Sequence, residues 1–341
     1  MIPSSSPNAT AAADLFLPSL AEQALAGGDL APRDGLRILT DPGIPLLPLL
    51  HAAFRVRERH FGRGVRVHVL LNAQNGACPE DCHYCAQSAA SQAPIVEYPL
   101  KSDAEILDGA RRAHESGAWR YCVVLSGREP PRARLDHLAR VVTMIKERHP
   151  VEVCLSAGFL DREGARRLKA AGLDRYNHNL NTAAGRYQKI CSTHGYADRV
   201  ATLEAARAEG LEVCSGIIAG MGETPEELVE AALTLRRLNA RSIPVNFYVH
   251  VPGNRLGAVE GGLSPEFCLR LLCLFRFANP DAEVRAAGGR EVHLRSLEPL
   301  ALYPANSLFA GGYLNVGGDP MVQVRALVAD AGFFIERVEE E

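Results

Sequence analysis

Three cysteines lie within eight residues of this 341-residue chain, in the segment GACPEDCHYCAQS. They are Cys78, Cys82 and Cys85, and their C-x3-C-x2-C spacing supplies three thiolates from one compact loop. Such thiolates could bind a tetrahedral zinc ion, although the available fourth ligand, His83, adjoins Cys82 and would be strained. They could instead hold a cubane iron–sulfur cluster whose fourth iron is open to an exchangeable ligand, or remain unligated. The spacing favours the cluster.

Three other cysteines share a second pattern, in which a charged residue, an apolar residue and a cysteine begin a predicted strand. A fourth segment has arginine in the third place. The segments are Arg120-Tyr121-Cys122, Glu152-Val153-Cys154, Glu212-Val213-Cys214 and Glu283-Val284-Arg285. Side chains alternate between the faces of a strand, so an outward apolar residue leaves the third residue facing inward. Cysteine is often simply a buried residue, but three in one register favour a second metal site where thiols and a guanidinium converge.

Eight strand-like segments alternate with helical segments and would position these residues. The segments are 66–72, 121–127, 151–158, 174–180, 211–220, 242–250, 282–289 and 306–311. Between the first two, Ser102 and Glu105 form a capping-box pattern before a helix that stops at Gly117. Eight such units imply parallel strands with right-handed crossovers and predict an α/β fold, a (β/α)8 TIM-type barrel. A doubly wound open sheet is the alternative. In a barrel, functional residues gather in the loops that follow the strands, where the first three cysteines lie.

The rest of the chain predicts extensions at both ends of this barrel. Residues 1–60 are expected to form a disordered start, to about residue 12, followed by helices. Residues 61–320 are expected to form the barrel, and residues 321–341 a helix and a short tail. The chain is 47% hydrophobic and has a net charge of −3, which gives no sign of a nucleic-acid or acidic-membrane partner. A small-molecule substrate is therefore expected.

The ends of the chain and its cysteine content bear on location. The N-terminus lacks the basic and apolar regions of a signal peptide, and no segment approaches about 18 uninterrupted apolar residues. We expect a cytoplasmic protein. Its nine cysteines are then expected to be buried thiols or metal ligands rather than disulfides.

The C-x3-C-x2-C motif resembles that of the radical S-adenosylmethionine superfamily. The resemblance implies a [4Fe-4S] cluster on Cys78, Cys82 and Cys85, whose open iron binds S-adenosyl-L-methionine. An electron from the cluster then yields methionine and a 5'-deoxyadenosyl radical, so no protein side chain is expected to be the catalytic group. Tyr84 would contact the adenine, or would only pack the loop.

The inner cysteines, with YNHNL at 176–180, CSG at 214–216 and GGRE at 288–291, resemble the biotin synthase family from about Arg57 to Glu336. The resemblance implies an auxiliary [2Fe-2S] cluster held by Cys122, Cys154, Cys214 and Arg285. A protonated guanidinium is a donor and not a ligand, so Arg285 could instead donate to cluster sulfides.

The same resemblance implies sulfur insertion into dethiobiotin, an external electron donor of the flavodoxin or ferredoxin type, and a homodimer. Asn177, Asn179 and Asn246 would contact dethiobiotin, and Asn179 and Asn181 would contact S-adenosylmethionine. Amides offer both donors and acceptors, as a ureido group does. Some members have aspartate where Asn181 stands, and the family often has serine where Ala287 stands.

Other interpretations remain open at the level of sequence. A radical enzyme with another substrate would not need the inner cysteines, and an iron–sulfur carrier would expose its ligands on a mobile surface loop. A zinc-stabilised binding module is the third alternative. Four residues are expected to have no role in chemistry: His178 is structural, Cys191 is an incidental loop thiol, and Cys268 and Cys273 pack in a helix.

Overall fold

A closed parallel β barrel forms the centre of the molecule. The computed structural model describes residues 7–259 and 262–338. Its strands are β1 (Gly64–Gln74), β2 (Arg120–Leu125), β3 (Glu152–Ser156), β4 (Arg175–Asn177), β5 (Glu212–Cys214), β6 (Ile217–Ala219), β7 (Ser242–Phe247), β8 (Glu283–Ala286), β9 (Ser307–Ala310) and β10 (Phe334–Glu336). Neighbouring strands pair in the order β1, β2, β3, β4, β5, β7, β8 and β9, and β9 pairs with β1 to close the barrel. The predicted eight-position barrel is confirmed, and the doubly wound sheet is excluded.

The fifth barrel position consists of two short strands, β5 and β6. Strand β5 pairs with β4 and, through Cys214, with Ser242 of β7, whereas β6 continues the pairing with β7. The two residues between them, Ser215 and Gly216, are both buried. A Cβ on Gly216 would collide with the carbonyl of Pro244, so glycine allows the two backbones to approach here.

Helices surround the barrel and cover its apolar outer face. They are α1 (Pro7–Leu25), α2 (Pro32–Thr40), α3 (Leu46–Phe61), α4 (Asp103–Glu115), α5 (Arg132–Arg148), α6 (Arg162–Ala170), α7 (Tyr196–Ala208), α8 (Pro225–Arg237), α9 (Pro265–Ala278), α10 (Arg290–Leu294) and α11 (Met321–Asp330). Two 3-10 segments, Ala184–Lys189 and Arg295–Leu302, lie in loops. The capping box at Ser102 and Glu105 is present at the start of α4.

The two ends of the chain differ in part from the prediction. A disordered start was expected to about residue 12. Residues 1–6 lie outside the described residues, but residues 7–12 belong to α1. The tail after α11 was predicted as a short end, yet it forms β10, which pairs in parallel with the beginning of β1. Within the described ranges, no helix is both long enough and apolar enough to cross a membrane.

Candidate active site

A cavity of about 290 Å³ occupies the barrel interior and the loops that follow the strands. Every residue that the sequence predicted as a metal, cofactor or substrate ligand lines it. These are Cys78, Tyr84, Cys82, Cys85, Cys122, Cys154, Asn177, Asn179, Asn181, Cys214, Asn246 and Arg285. Residues more than 200 positions apart in the chain thus line one cavity, because the strands of a barrel point their inward side chains toward the barrel axis.

The inner thiols, Cys122, Cys154 and Cys214, lie on three barrel strands. Cys122 and Cys154 are paired across β2 and β3, and all three are less than 7% exposed. Cys154 stands between the other two, and its thiol interacts with both. Its hydrogen bond with Cys122 lowers the pKa of Cys122 and raises that of Cys154. The structure therefore places the three thiols in a row inside the barrel.

Arg285, on β8, completes the inner group and is 2% exposed. Its Nη2 donates to the Ser242 hydroxyl at 2.7 Å and to the Glu283 carboxylate. Its Nε has no hydrogen-bond partner among the described residues. Burial lowers the pKa of Arg285, but the Glu283 carboxylate and the Cys214 and Cys122 thiols together outweigh burial and raise the pKa above its ordinary value.

Below the inner thiols, toward the beginnings of the strands, lies a charged layer formed by His68, Arg120, Arg175 and Glu283. Arg120 Nη1 lies 3.1 Å from each Glu283 carboxylate oxygen, and Arg175 Nη1 lies 3.1 Å from one of them. His68 Nε2 is 2.9 Å from Glu283. Burial would raise the pKa of Glu283, but the surrounding guanidinium groups and His68 hold it well below its usual range. A buried carboxylate is thus kept ionised by several cations.

The three outer cysteines lie on the cysteine loop (residues 76–88), which follows β1. Asn181 Nδ2 donates to the Tyr84 hydroxyl at 2.6 Å, and Asn254 Nδ2 donates to the Tyr84 carbonyl at 2.8 Å. Burial raises the pKa of Cys85 to about 11. The cysteine loop is therefore hydrogen-bonded to two other segments of the chain, through Asn181 and Asn254.

A buried cluster of side chains that the sequence did not predict packs against the cysteine loop. Glu80 contacts His194 and accepts from Arg128 Nη1 at 2.7 Å. Cys191, which the sequence presents as an incidental loop thiol, lies next to this cluster, with its sulfur 3.8 Å from that of Cys82. No local pattern connects residues 80–82 with 191–194, which are more than 100 positions apart.

The asparagines use part of their hydrogen-bonding capacity on the backbone. Asn179 Oδ1 accepts from the Gly216 N–H at 3.0 Å and from Asn177 Nδ2 at 3.1 Å, which fixes the orientation of its carboxamide. Asn177 Nδ2 also lies 3.3 Å from the Cys214 carbonyl. Asn246 donates to the Ile217 carbonyl. Asn177 therefore has its oxygen left for a ligand, and Asn179 has its amide nitrogen.

The other predicted structural residues are buried. His178 is 6% exposed, and its ring lies 5.1 Å from that of Phe159 between ring centroids. Cys268 and Cys273 are fully buried in α9. Ala287 lies with the inner thiols in one apolar cluster, so no hydroxyl is available at that position.

The spacing of the cysteines bears on what they can bind. Within residues 7–259 and 262–338, one group of Cys, His or carboxylate donors lies within 4.8 Å of one another, and it consists of Cys82, Cys191 and His194. Neither predicted cysteine triad forms such a group. The ligands of a cluster bind separate irons and need a wider spacing than the ligands of one zinc ion.

Two family models match consecutive parts of the chain. Residues 75–235 match the Radical SAM superfamily, and residues 244–334 match the Biotin and Thiamin Synthesis associated domain. The first match contains both sets of cysteines, and the second contains Asn246 and Arg285.

Curated relatives extend over nearly the whole chain. A biotin synthase from Magnetococcus marinus is 66% identical over 94% of this chain and 100% of its own length. Those from Acaryochloris marina and Bacillus subtilis are 52% and 44% identical over 87% and 94% of this chain, and over 86% and 96% of their own lengths.

Solved structures share the fold at low identity. A methylornithine synthase superposes with a TM-score of 0.79 at 18% identity, covering 93% of this chain and 97% of its own. An FeFe-hydrogenase maturase from Carboxydothermus hydrogenoformans gives a TM-score of 0.76 at 17% identity, covering 96% of this chain and 80% of its own. At such identities the likeness concerns the fold alone.

Proposed function

The chain belongs to the biotin synthase family of radical S-adenosylmethionine enzymes, and from this premise we propose that it inserts sulfur into dethiobiotin to give biotin. The observation that carries the proposal is the cavity shared by two cysteine sets and the four predicted asparagines. One set lies at the loop end of the barrel, and the other lies deeper on the strands. A substrate in the cavity would have a cofactor on either side.

The donor sets fit two clusters. Cys78, Cys82 and Cys85 would hold a [4Fe-4S] cluster with one iron left for S-adenosylmethionine. Cys122, Cys154 and Cys214 would hold the auxiliary [2Fe-2S] cluster. When bound, these groups supply the 5'-deoxyadenosyl radical and the sulfur atom that the reaction needs, because the carbons attacked carry no acidic protons.

Arg285 would serve the auxiliary site as a charged hydrogen-bond donor. The Glu283 carboxylate and the Cys214 and Cys122 thiols raise the pKa of Arg285 despite its burial, and a protonated guanidinium has no lone pair for iron. Its buried Nε lacks a partner among the described residues, and cluster sulfide or thiolate sulfur beside it would satisfy that donor. The family resemblance implies that Arg285 is the fourth ligand of the cluster, and in either role the guanidinium lies beside the auxiliary site.

The asparagines would recognise the ureido ring of dethiobiotin by complementary polarity. Asn177 offers a carboxamide oxygen to a ureido N–H, and Asn179 offers an amide nitrogen to the ureido carbonyl, because their other atoms already bond to the protein. Asn246, 4% exposed, lies across the cavity on β7. A neutral donor–acceptor set of this kind suits an uncharged cyclic urea and disfavours a charged amino acid, whose buried charge would be unpaired.

The cosubstrate would lie between the cysteine loop and the end of β4. The bonded pair Tyr84 and Asn181 stands at this place, and Asn179 lies two residues before Asn181. Tyr84 would contact the adenine, and the two asparagines would hold the polar groups of S-adenosylmethionine. Asn181 has a positive φ of 68°, a conformation that asparagine tolerates better than most residues.

The remaining parts of the proposal follow the family. An external flavodoxin-type or ferredoxin-type protein would deliver electrons, and the enzyme would act as a homodimer in the cytoplasm, with no nucleic-acid or membrane partner. Residues 1–60 would form an extension to the barrel of residues 61–320, and residues 321–341 a C-terminal helix and tail.

The test is anaerobic purification of the full chain, analysis of iron, sulfide and zinc, and incubation with reductant, S-adenosylmethionine and dethiobiotin. We expect iron and sulfide, 5'-deoxyadenosine, and biotin. Cys78→Ala should abolish both products, whereas Cys273→Ala removes a buried thiol of α9 that does not line the cavity and should retain both. Zinc without iron would refute the proposal, and 5'-deoxyadenosine without biotin would indicate a radical enzyme with another substrate.

A further inference from the structure

The loop that follows β9, here called the β9 loop (residues 311–318), forms part of the cavity wall. Tyr313 and Val316 exchange two backbone hydrogen bonds of 2.9 Å, which make a tight hairpin turn around Leu314 and Asn315. All four residues line the cavity. Leu314 has a positive φ of 53°, a conformation that costs a bulky residue free energy and that the surrounding structure must hold in place.

Hydrogen bonds fix the β9 loop at its tip and at its base. Asn315 Nδ2 donates to Asn75 Oδ1, and Asn75 Nδ2 donates to Asn315 Oδ1, each at 3.0 Å. Asn75 directly follows β1, so this reciprocal amide pair joins the end of the first barrel strand to the loop after the last one. At the base, the Gly311 N–H donates to the Asp319 carbonyl at 2.8 Å. The β9 loop thus holds Tyr313 over the cavity.

The ring of Tyr313 lies against the inner site. It packs on the apolar cluster that contains the three inner thiols and Phe309, and its centroid lies 5.3 Å from that of the Phe309 ring. Burial raises the pKa of Tyr313, so its hydroxyl keeps its proton. An aromatic residue that the sequence did not predict as a ligand therefore covers the inner thiols.

Gly288 leaves room for this ring beside a predicted substrate ligand. A Cβ on Gly288 would lie 3.0 Å from Cδ1 of Tyr313 and 3.3 Å from Oδ1 of Asn246, both closer than ordinary contact. The Gly288 N–H also donates to Asn246 Oδ1 at 3.0 Å. The absence of a side chain at position 288 therefore allows the Tyr313 ring and the Asn246 carboxamide to lie next to each other.

Given the proposed function, we propose that Tyr313 is a substrate-positioning residue, whose ring packs against the hydrocarbon part of dethiobiotin and covers it above the inner thiols. Dethiobiotin joins a polar ureido group to a methyl group and a hydrocarbon chain, and the asparagines can hold only the ureido group. A tyrosine ring offers a rigid apolar surface at low cost in conformational entropy. The ring keeps the carbons that receive sulfur facing the inner thiols.

Two substitutions separate the ring from the hydroxyl, since Tyr313→Ala removes both and Tyr313→Phe removes only the hydroxyl. Binding is measured by equilibrium dialysis of radiolabelled dethiobiotin against the anaerobically reconstituted full chain, with S-adenosylmethionine but without reductant, so that no turnover occurs. Tyr313→Ala should raise Kd about 10-fold, because it removes the aromatic contact. Tyr313→Phe should stay within about 3-fold of the wild type, because it keeps that contact.

The second measurement is the ratio of 5'-deoxyadenosine to biotin formed after reduction. A substrate that is poorly held leaves the 5'-deoxyadenosyl radical to react elsewhere, so Tyr313→Ala should raise this ratio about 10-fold or more, and Tyr313→Phe should restore it. Tyr303→Ala is the matched control, because Tyr303 packs against Phe54 and Phe333 and does not line the cavity. It should lower stability and leave both Kd and the ratio unchanged.

Two results would overturn the proposal. One is a Tyr313→Ala protein with the wild-type Kd and ratio, and the other is an equal change in Tyr313→Ala and Tyr303→Ala, which would indicate general destabilisation. Far-UV circular dichroism checks folding, and Tyr313→Leu, which keeps an apolar side chain without a ring, replaces Tyr313→Ala if that variant does not fold. Wild-type protein that makes 5'-deoxyadenosine but no biotin would refute the proposed function instead, so the two failures are distinguishable.

Discussion

Replacing Glu283 by glutamine removes the charge at the centre of the charged layer while keeping the size of the side chain. The carboxylate is 1% exposed and faces Arg120, Arg175, Arg285 and His68. An amide can accept some of these hydrogen bonds, but it leaves the buried Arg285 without its carboxylate partner and removes one of the two carboxylates that face Arg120 and Arg175, which keep Glu152 and Glu212. We expect the folded protein to lose stability for this reason and not through a cavity.

The size of the expected loss of stability follows from the burial of the Glu283 carboxylate. Breaking a buried ion pair by removing one partner costs about 3–5 kcal/mol, whereas a solvent-exposed pair contributes at most about 1 kcal/mol. Glu212 provides a matched control, since it pairs with Arg175 from the opposite side but its side chain is 49% exposed. Glu283→Gln should therefore lower the free energy of unfolding by about 2–4 kcal/mol more than Glu212→Gln.

Urea unfolding of the full chain, followed by far-UV circular dichroism, measures this difference. With a denaturant slope of about 3 kcal/mol per M, the Glu283→Gln midpoint should fall about 1 M below that of Glu212→Gln. Iron analysis after anaerobic reconstitution should also show loss of inner-site iron, because Arg285 loses the carboxylate that orients it. Equal urea midpoints for the two variants would refute the prediction that the buried charge of Glu283 stabilises the folded protein.

Three further predictions concern the site. Cys154→Ala removes the central inner thiol and should abolish biotin formation. After reduction, this variant should retain the loop cluster and still cleave S-adenosylmethionine. Loss of both clusters would contradict the prediction that the two cysteine sets bind their clusters independently. Tyr84→Phe removes the hydroxyl bonded to Asn181 at 2.6 Å, so KM for S-adenosylmethionine should rise about 3-fold to 10-fold with kcat little changed. A change in KM for dethiobiotin alone would argue against a role of Tyr84 in binding the cosubstrate. Burial and nearby Arg199 hold the pKa of His178 well below 6.5, so below about pH 6.5 only the unfolded chain binds this proton, and His178 should lower the unfolding free energy by about 1.4 kcal/mol per pH unit. Burial and Arg285 also hold the pKa of His68 well below 6.5. His178→Asn should therefore reduce the total slope by about 1.4 kcal/mol per pH unit without abolishing it, and the exposed His51→Asn should leave it unchanged.

The barrel could be predicted because its signals are local. Each strand and the helix that follows it have their own hydrophobic periodicity and capping residues, such as Ser102 and Glu105. Eight such units in series indicate a closed barrel. Strand β10 could not be predicted in this way. It has three residues and exists through pairing with β1, which lies about 270 positions earlier in the chain.

The inner site was predictable by strand alternation, and the charged layer could have been predicted by the same rule. If Cys122 faces the lumen, then Arg120, two residues earlier, faces it as well, and Glu283 stands in the same relation to Arg285. The layer is therefore a further consequence of the register that identified the cysteines. The contact between Cys82 and Cys191 is different, because it depends on how two loops meet and leaves no periodic signal.

The charged layer also has a kinetic consequence. Buried ion pairs close the end of the barrel at which the strands begin, so molecules reach the inner thiols from the opposite end, past the cysteine loop. Substrate, product and any iron or sulfide supplied to the inner site would share this route. On the proposed function, product would have to leave before sulfur could be replaced, and the number of turnovers would depend on the order in which molecules pass the cysteine loop.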